Sequence, residues 1–245
     1  MLPVIRSEFR KLSTVRSPWL LLAAGPLLVV AGVTGLVQSG GDVHDPAIQA
    51  KALAHVALAA LFTLILGVFA VAGEYRHGTV TDTFLSTPGR GRVVAAKLAV
   101  YGAAGAVAGL VSAAVAVVVT AAWWAAKGGS FHLSAGSLRI LAGGVAVNIA
   151  FAAIGVGVGA LLRNLALAIA AVLAWIALVE GVAGQLAGAG LARWLPFSAS
   201  EALGRVTMIG PARPLPQWGG GLVLAGYAIA FAAAAMVTTL RRDVT

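Results

Sequence analysis

The sequence predicts an all-α integral membrane protein built on six transmembrane helices, and three observations predict it. Hydrophobic residues make up 60% of the 245 residues and charged residues only 10%, against roughly 45–50% and 25% in soluble domains. The apolar residues fall in runs of about 20 or more, the length that crosses a hydrocarbon core as a helix. Basic residues gather at alternate ends of those runs, which is the topology signal of membrane proteins.

The first span is Pro18 to Val37. Basic residues precede it, yet it is longer than a signal-peptide core and no convincing small-x-small cleavage site follows, so it is read as a retained span. Gly25-Pro26 inside it predicts a kink. The second span runs from Leu53 to Ala72 and the third from Leu98 to Ala126, which at roughly 43 Å is long enough to tilt or to project into water. Between Ile140 and Ala187 the charged residues are Arg163 and Glu180, and only at Arg163-Asn164 do two strongly polar residues stand together. One helix over that stretch would be roughly 70 Å long, longer than a bilayer is thick. A break at Arg163-Asn164 therefore gives 140–162 and 165–187 as the fourth and fifth spans, and 219–240 is the sixth. The chain is a single transmembrane domain, with 1–17 before the first span and 73–97 and 188–218 as the two informative loops.

Six spans put both termini on one side. Arg6, Arg10, Lys11, Arg16, Arg76, Arg90, Arg92, Lys97, Arg163, Arg241 and Arg242 fall there and outnumber Lys51, Lys127, Arg139, Arg193, Arg205 and Arg213 on the other. Both termini are therefore expected in the cytoplasm. This distribution accounts for the net charge of +9. Without a basic stripe interleaved with aromatics, no nucleic-acid partner is expected. The chain has no cysteine, which excludes disulfides, thiol catalysis and thiolate metal sites. Arginine far outnumbers lysine among its basic residues and alanine and glycine abound, a composition suggestive of a GC-rich bacterial genome.

Before the first span, Leu2, Ile5, Phe9 and Leu12 recur at three- and four-residue spacing, with Arg6, Arg10 and Ser13 on another face. This predicts an amphipathic helix lying in the headgroup layer of the bilayer. Placing Glu74, Arg76, Asp82, Arg90 and Arg92 in hydrocarbon would cost roughly 3 kcal/mol each, so Gly73 to Lys97 is read as a water-bound loop. Within it, Thr79 to Leu85 predicts a short helix with Val80, Phe84 and Leu85 toward one side and Thr83 toward solvent, stopped by Ser86-Thr87-Pro88. A short helix with an exposed aromatic at a membrane surface is a docking element. The 188–218 loop is too apolar for a tether. Ser198-Ala199-Ser200-Glu201 there has capping-box spacing and predicts one or two short helices dipping into the outer leaflet.

Several chemistries are tested and set aside. No lysine lies in a GxxxxGK[ST] phosphate loop, so no ATPase is expected on this chain. His44, His77 and His132 lie in loops and His55 at a span end, leaving no serine–histidine dyad within the bundle. His44 beside Asp42 and Asp45 is read as a solvated turn rather than a metal site. Gly105 and Gly109, Gly155 and Gly159, and Gly184 and Gly188 stand four apart, a spacing that lets membrane helices approach closely, within the chain or between two copies. Glu180 is the one acid inside an expected span. It is a candidate for the transport pathway, with snorkelling or a pair with Arg193 as the structural alternative.

The N-terminal SEFRKLSTVRSPWLLL, the second span running into GEYRHGTVTDTFLSTPGRGRVVAAK, and WLPFSASEAL before the last span together resemble the membrane-spanning (permease) subunits of bacterial type 2 ABC transporters, among them drug, bacitracin and lantibiotic exporters. The likeness in layout covers nearly the whole chain; likeness of residues is confined to those three stretches. It implies a coupling helix after span two that docks on a separate nucleotide-binding ATPase subunit, with ATP and Mg held on that partner. The family's acidic-residue, Gly-Thr, Leu, Pro and Lys pattern falls on Glu74, Arg76, Gly78, Thr79, Leu85, Pro88, Arg92 and Lys97, and Val80 and Phe84 join them as docking residues.

The expected function is thus a non-catalytic permease subunit in the bacterial cytoplasmic membrane. It would export amphipathic drug-like, peptide or lipid-like substrates and pair with a second copy or a paralogous membrane subunit. The rival expectation is a self-contained secondary carrier, for which an intramembrane acid such as Glu180 would be the working group.

Overall fold

The structure, a computed structural model, describes residues 1–87, 89–183, 186, 188–206 and 214–241. Every regular element among them is a helix, and six helical stretches are long and apolar enough to cross a membrane. The chain is therefore a multi-pass membrane protein. Helix α1 (Leu2–Thr14) leads through Val15 into α2 (Arg16–Gln38), which continues past Pro26. The second span starts at Pro46 rather than Leu53. It comprises α3 (Pro46–Ala54), a 3₁₀ segment His55–Ala59 and α4 (Ala60–Arg76). The Asp45 carboxylate accepts from Ala47 N at 2.8 Å and caps it, with Pro46 at the first helical position, where its missing N–H costs nothing.

After the short α5 (Val80–Ser86), α6 (Arg90–Ala126) runs 37 residues, about 55 Å at 1.5 Å per residue. Helix α7 (Ala135–Leu162) ends at Arg163 in the left-handed conformation, φ 51°. Asn164 then starts α8 (Leu165–Ala174) by accepting from Leu167 N at 3.0 Å. This helix widens into a π-helical stretch, Trp175–Ala183. Among the described residues, the short helices α9 (Ala189–Ala192) and α10 (Pro196–Gly204) follow before the last span α11 (Gln217–Arg241). The end of the fifth span near 187 and the Gly184 pairing lie outside the described residues.

Two spans form the centre. Within the most apolar window of each, 72% of the second span and 56% of the fourth are buried, against 17% of the last. The outer helices therefore turn apolar side chains such as Leu110, Val118, Leu222 and Ile229 outward, a surface suited to lipid. Small residues bring α4 and α7 together: Gly155 sits on the backbone of Leu64 and Gly67, and Gly159 on Val68. Gly105 and Gly109 of α6 lie against Asn148 and Val145 of α7. Both glycine pairs thus pack within the chain, where each lets two backbones approach and gain dispersion contacts that lipid cannot supply.

The 3₁₀ segment interrupts the regular backbone pattern of the second span, and α7 compensates. Fully buried Asn148 donates through Nδ2 to Val56 O at 3.2 Å and to Gly144 O at 2.9 Å. Thr63 donates back to Asn148 O at 3.1 Å. A carbonyl in a membrane interior needs such a donor.

Overpacking a close helix crossing costs about 1–3 kcal/mol. Gly155→Val, whose added atoms would meet the α4 backbone, is expected to lower the thermal unfolding temperature of the detergent-solubilised chain. Gly102→Ala, with nothing within 4 Å, should leave it unchanged. Equal behaviour of the two would remove the seam from the account.

Candidate functional site

The connection between the second and third spans is shorter than the sequence suggests. Glu74, Tyr75 and Arg76 form the last turn of α4, and Arg90 to Lys97 form the first turns of α6. Only 77–89 link them. The turn out of α4 is a Schellman motif: Gly78 takes φ +69°, its N–H reaches Tyr75 O at 3.3 Å, and Thr79 N reaches Glu74 O at 3.0 Å. Glycine is favoured at that position because a Cβ would clash in the left-handed conformation. Gly78 and Thr79 thus close the helix and launch α5.

Helix α5 is set on the bundle by Val80, which is buried. Phe84 is half-buried under the Arg90 guanidinium, 5.5 Å from its ring centroid. Leu85 is 75% exposed, so Val80, Phe84 and Leu85 do not share one outward face. Asp82 sits in the first turn, where its charge favours the helix dipole. Arg76 and Arg92 are exposed on either side. Pro88 lies outside the described residues.

Beneath α5 lies a cluster of four charges. Lys97, 3% exposed, donates to Glu8 Oε2 at 2.8 Å, Glu74 Oε1 at 2.7 Å and Ala70 O at 2.7 Å, which uses all three of its protons. Lys11 donates to Glu8 Oε1 at 2.8 Å, Glu74 Oε1 at 2.6 Å and Thr83 Oγ1 at 3.3 Å. Two carboxylates thus face two ammoniums, and α1, α4, α5 and α6 are joined at one point. Burial by itself would lower the pKa of Lys11, but hydrogen bonds and charge from Glu74 and Glu8 outweigh it and hold the amine above its ordinary 10.5. While those carboxylates are ionised, its stabilising contribution is therefore present in full below about 10.5 and is lost as pH rises through the raised value.

This corrects two expectations. Gly73 to Lys97 is not a water-bound loop throughout, because mutual neutralisation lets Glu74 and Lys97 sit within the helix bundle. Thr83 faces Lys11 rather than solvent. Glu8 is the member that sequence reading passed over, although Ile5, Glu8 and Leu12 share one helical face and a single acid on an apolar face asks for a partner.

Across the same end, Arg163 donates to Thr238 O at 3.2 Å and lies 5.5 Å from the Tyr75 ring centroid. Arg90 reaches Thr239 O at 3.4 Å. The short Arg163-Asn164 turn is therefore engaged with neighbouring helices.

Glu180 stands at the opposite end, within the π-helical stretch and 5% exposed. Its carboxylate accepts from Phe197 N at 2.6 Å, Ser198 N at 2.9 Å, Ser198 Oγ at 3.3 Å and Trp175 Nε1 at 3.4 Å. The Phe197 and Ser198 amides are free N–H groups of α10's first turn, and an acid there also favours the helix dipole. The capping box expected at Ser198 and Glu201 is not formed: the helix starts at Pro196 with Leu195 as its cap residue, which puts Ser198 inside the first turn. Arg193 lies over the Trp194 ring at 5.6 Å. Comparison with protein-family models finds no match to the chain, and comparison with curated proteins finds none either.

Removing a side-chain cap costs about 1–2 kcal/mol. Glu180→Ala is expected to lower thermal stability by that order and to speed hydrogen exchange at the Phe197 and Ser198 amides. Arg193→Ala should change neither. Unaltered exchange at those amides in Glu180→Ala would show that the acid does not hold α10.

Proposed function

We propose that the chain is the membrane-spanning subunit of a type 2 ABC transporter of the bacterial cytoplasmic membrane, driven by a separate ATPase polypeptide that docks on α5. The observation that carries this reading is the construction of α5. A passive connection needs only a few polar residues, whereas here a helix between two spans presents Leu85 outward, flanked by Arg76 and Arg92, on a base tied down by four charges. Such a rigid, partly apolar projection suits a partner's cleft and the transfer of motion into the spans. The end gathering α1, α5 and most of the arginines is proposed to face the cytoplasm. The substrate class proposed is amphipathic or lipid-like, export is the proposed direction, and a second copy or paralogue would complete the pathway.

The rival reading, a secondary carrier, relied on Glu180. That carboxylate is occupied by three donors at the start of α10 and by the Trp175 indole, which favours the permease reading. ATP-independent uptake driven by a proton gradient in liposomes would reverse the preference.

Truncating an anchor side chain in an interface typically costs about 2 kcal/mol or more, at least a tenfold loss of affinity at about 1.4 kcal/mol per tenfold. Leu85→Ala and Phe84→Ala are therefore expected to weaken capture of the ATPase subunit by tenfold or more and to abolish ATP-driven transport. Lys127→Ala, at the other end of α6, should do neither. Full capture and transport by both α5 variants would end the docking proposal.

Because the chain has no cysteine, single introduced cysteines report topology cleanly. In intact cells, one at Ser7 should resist an impermeant thiol reagent and one at Ser130 should react. Labelling at Ser7 would invert the proposed orientation.

A further inference from the structure

Two concavities meet along α1. One, of about 600 Å³, is an apolar groove between α1, α2 and α6, lined among others by Ile5, Phe9, Leu22, Val100 and Ala103. The other, of about 570 Å³, is a shelf bordered by Arg6, Ser7, Arg10 and Lys11. Leu2 and Arg6 line both, so the two adjoin along α1. Each is within the roughly 300–1,000 Å³ typical of small-molecule sites.

The charges on this shelf are uneven. Glu8 and Glu74 are consumed by Lys11 and Lys97, and Arg6 and Arg10, one turn apart and exposed, have no carboxylate within ion-pair distance among the described residues. Trp19 stands at the rim, 56% exposed, with its indole N–H donating to Ser13 O at 3.1 Å. Tryptophan at such a boundary marks the headgroup level of a bilayer.

We propose that this composite site binds one anionic phospholipid, with its phosphate between Arg6 and Arg10 and an acyl chain along the groove. Two independent features select that ligand: an apolar trough lying against membrane-spanning helices, and on the adjoining shelf two uncompensated guanidiniums, whose planar donors match phosphate oxygens. A zwitterionic lipid offers the same chain but carries its own cation into the arginine pair. The bound lipid would wedge between α1 and the spans and hold α1 in place. The inference needs a membrane setting but not the ATPase reading, so either can fail alone.

The test is native mass spectrometry of the full chain in mild detergent, titrated with phosphatidylglycerol or with phosphatidylcholine of identical chains. A saturable single adduct is expected with phosphatidylglycerol and at least about tenfold weaker binding of phosphatidylcholine. The double variant Arg6→Ala/Arg10→Ala removes only exposed side chains and should weaken phosphatidylglycerol binding by about tenfold or more. Ala103→Trp, which fills the groove, should weaken both lipids. Equal binding of the two lipids by the parent, or unchanged binding by the double variant, would overturn the proposal. So would displacement by inorganic phosphate alone, which would show that no chain is held. Cross-linking of two copies through Phe9→Cys regardless of lipid would assign the groove to a second copy instead.

Discussion

Neutralisation of Lys97 at the edge of the bundle constrains the whole end of the molecule that carries α1. An ammonium that is 3% exposed, with its three protons directed at Glu8, Glu74 and a backbone carbonyl, is tolerable only while those partners stay in place. Removing one partner of a buried ion pair typically costs about 3–5 kcal/mol. Because Glu8 belongs to α1 and Glu74 to α4, an amphipathic helix that would otherwise be held only by its apolar face acquires a fixed position. Thr83 then places α5 on the same base through Lys11. Such clusters add little net stability compared with an apolar core of equal volume. Their effect here is to define where four helices meet.

The middle of the bundle follows another logic. Helices α4 and α7 meet through glycines, so the contact is backbone to backbone and tolerates little relative displacement. Above it, the 3₁₀ stretch of the second span is held by Asn148. The far end is organised by Glu180, which fixes the start of α10, and by Gln217, which donates to Arg139 O at 2.8 Å and Leu203 O at 2.9 Å. Each end of the molecule is thus ordered by a few polar groups around a close-packed apolar middle. In the proposed transporter, motion of α5 would reach the spans through the charged cluster rather than through the lipid-facing helices.

The spans were legible because hydropathy depends on sums over about 20 residues, which no single side chain overturns. The break at Arg163-Asn164 was legible because an uninterrupted helix would exceed the bilayer. What escaped was set by pairs distant in sequence. Glu74 and Lys97 read as loop charges because, taken singly, neither belongs in a helix bundle. Only their meeting with Glu8 makes them compatible with it. The start of the second span at Pro46 was hidden by Gln49 and Lys51, which interrupt the hydropathy but not the helix. Ser198 and Glu201 have the right spacing for a local cap, but Glu180, distant in sequence, reaches the same N–H groups and Pro196 starts the helix earlier. Gly78 was placed by resemblance and is explained by its positive φ. The role of Leu85 as the exposed side chain of α5 depended on how Val80 seats that helix, which periodicity over seven residues does not resolve.

The central claim is that Glu8 and Lys97 act as one unit joining α1 to the spans. A double-mutant cycle on reversible unfolding of the full chain in a membrane mimic tests it, using Glu8→Met, Lys97→Met and the two combined. Residues in one ion network show interaction energies of about 0.5–3 kcal/mol, while independent sites add within roughly 0.3–0.5 kcal/mol. The account predicts that each single change is strongly destabilising and that the double variant is more stable than the sum by at least about 1 kcal/mol. Additive losses, or a Lys97→Met variant as stable as the parent, would contradict it.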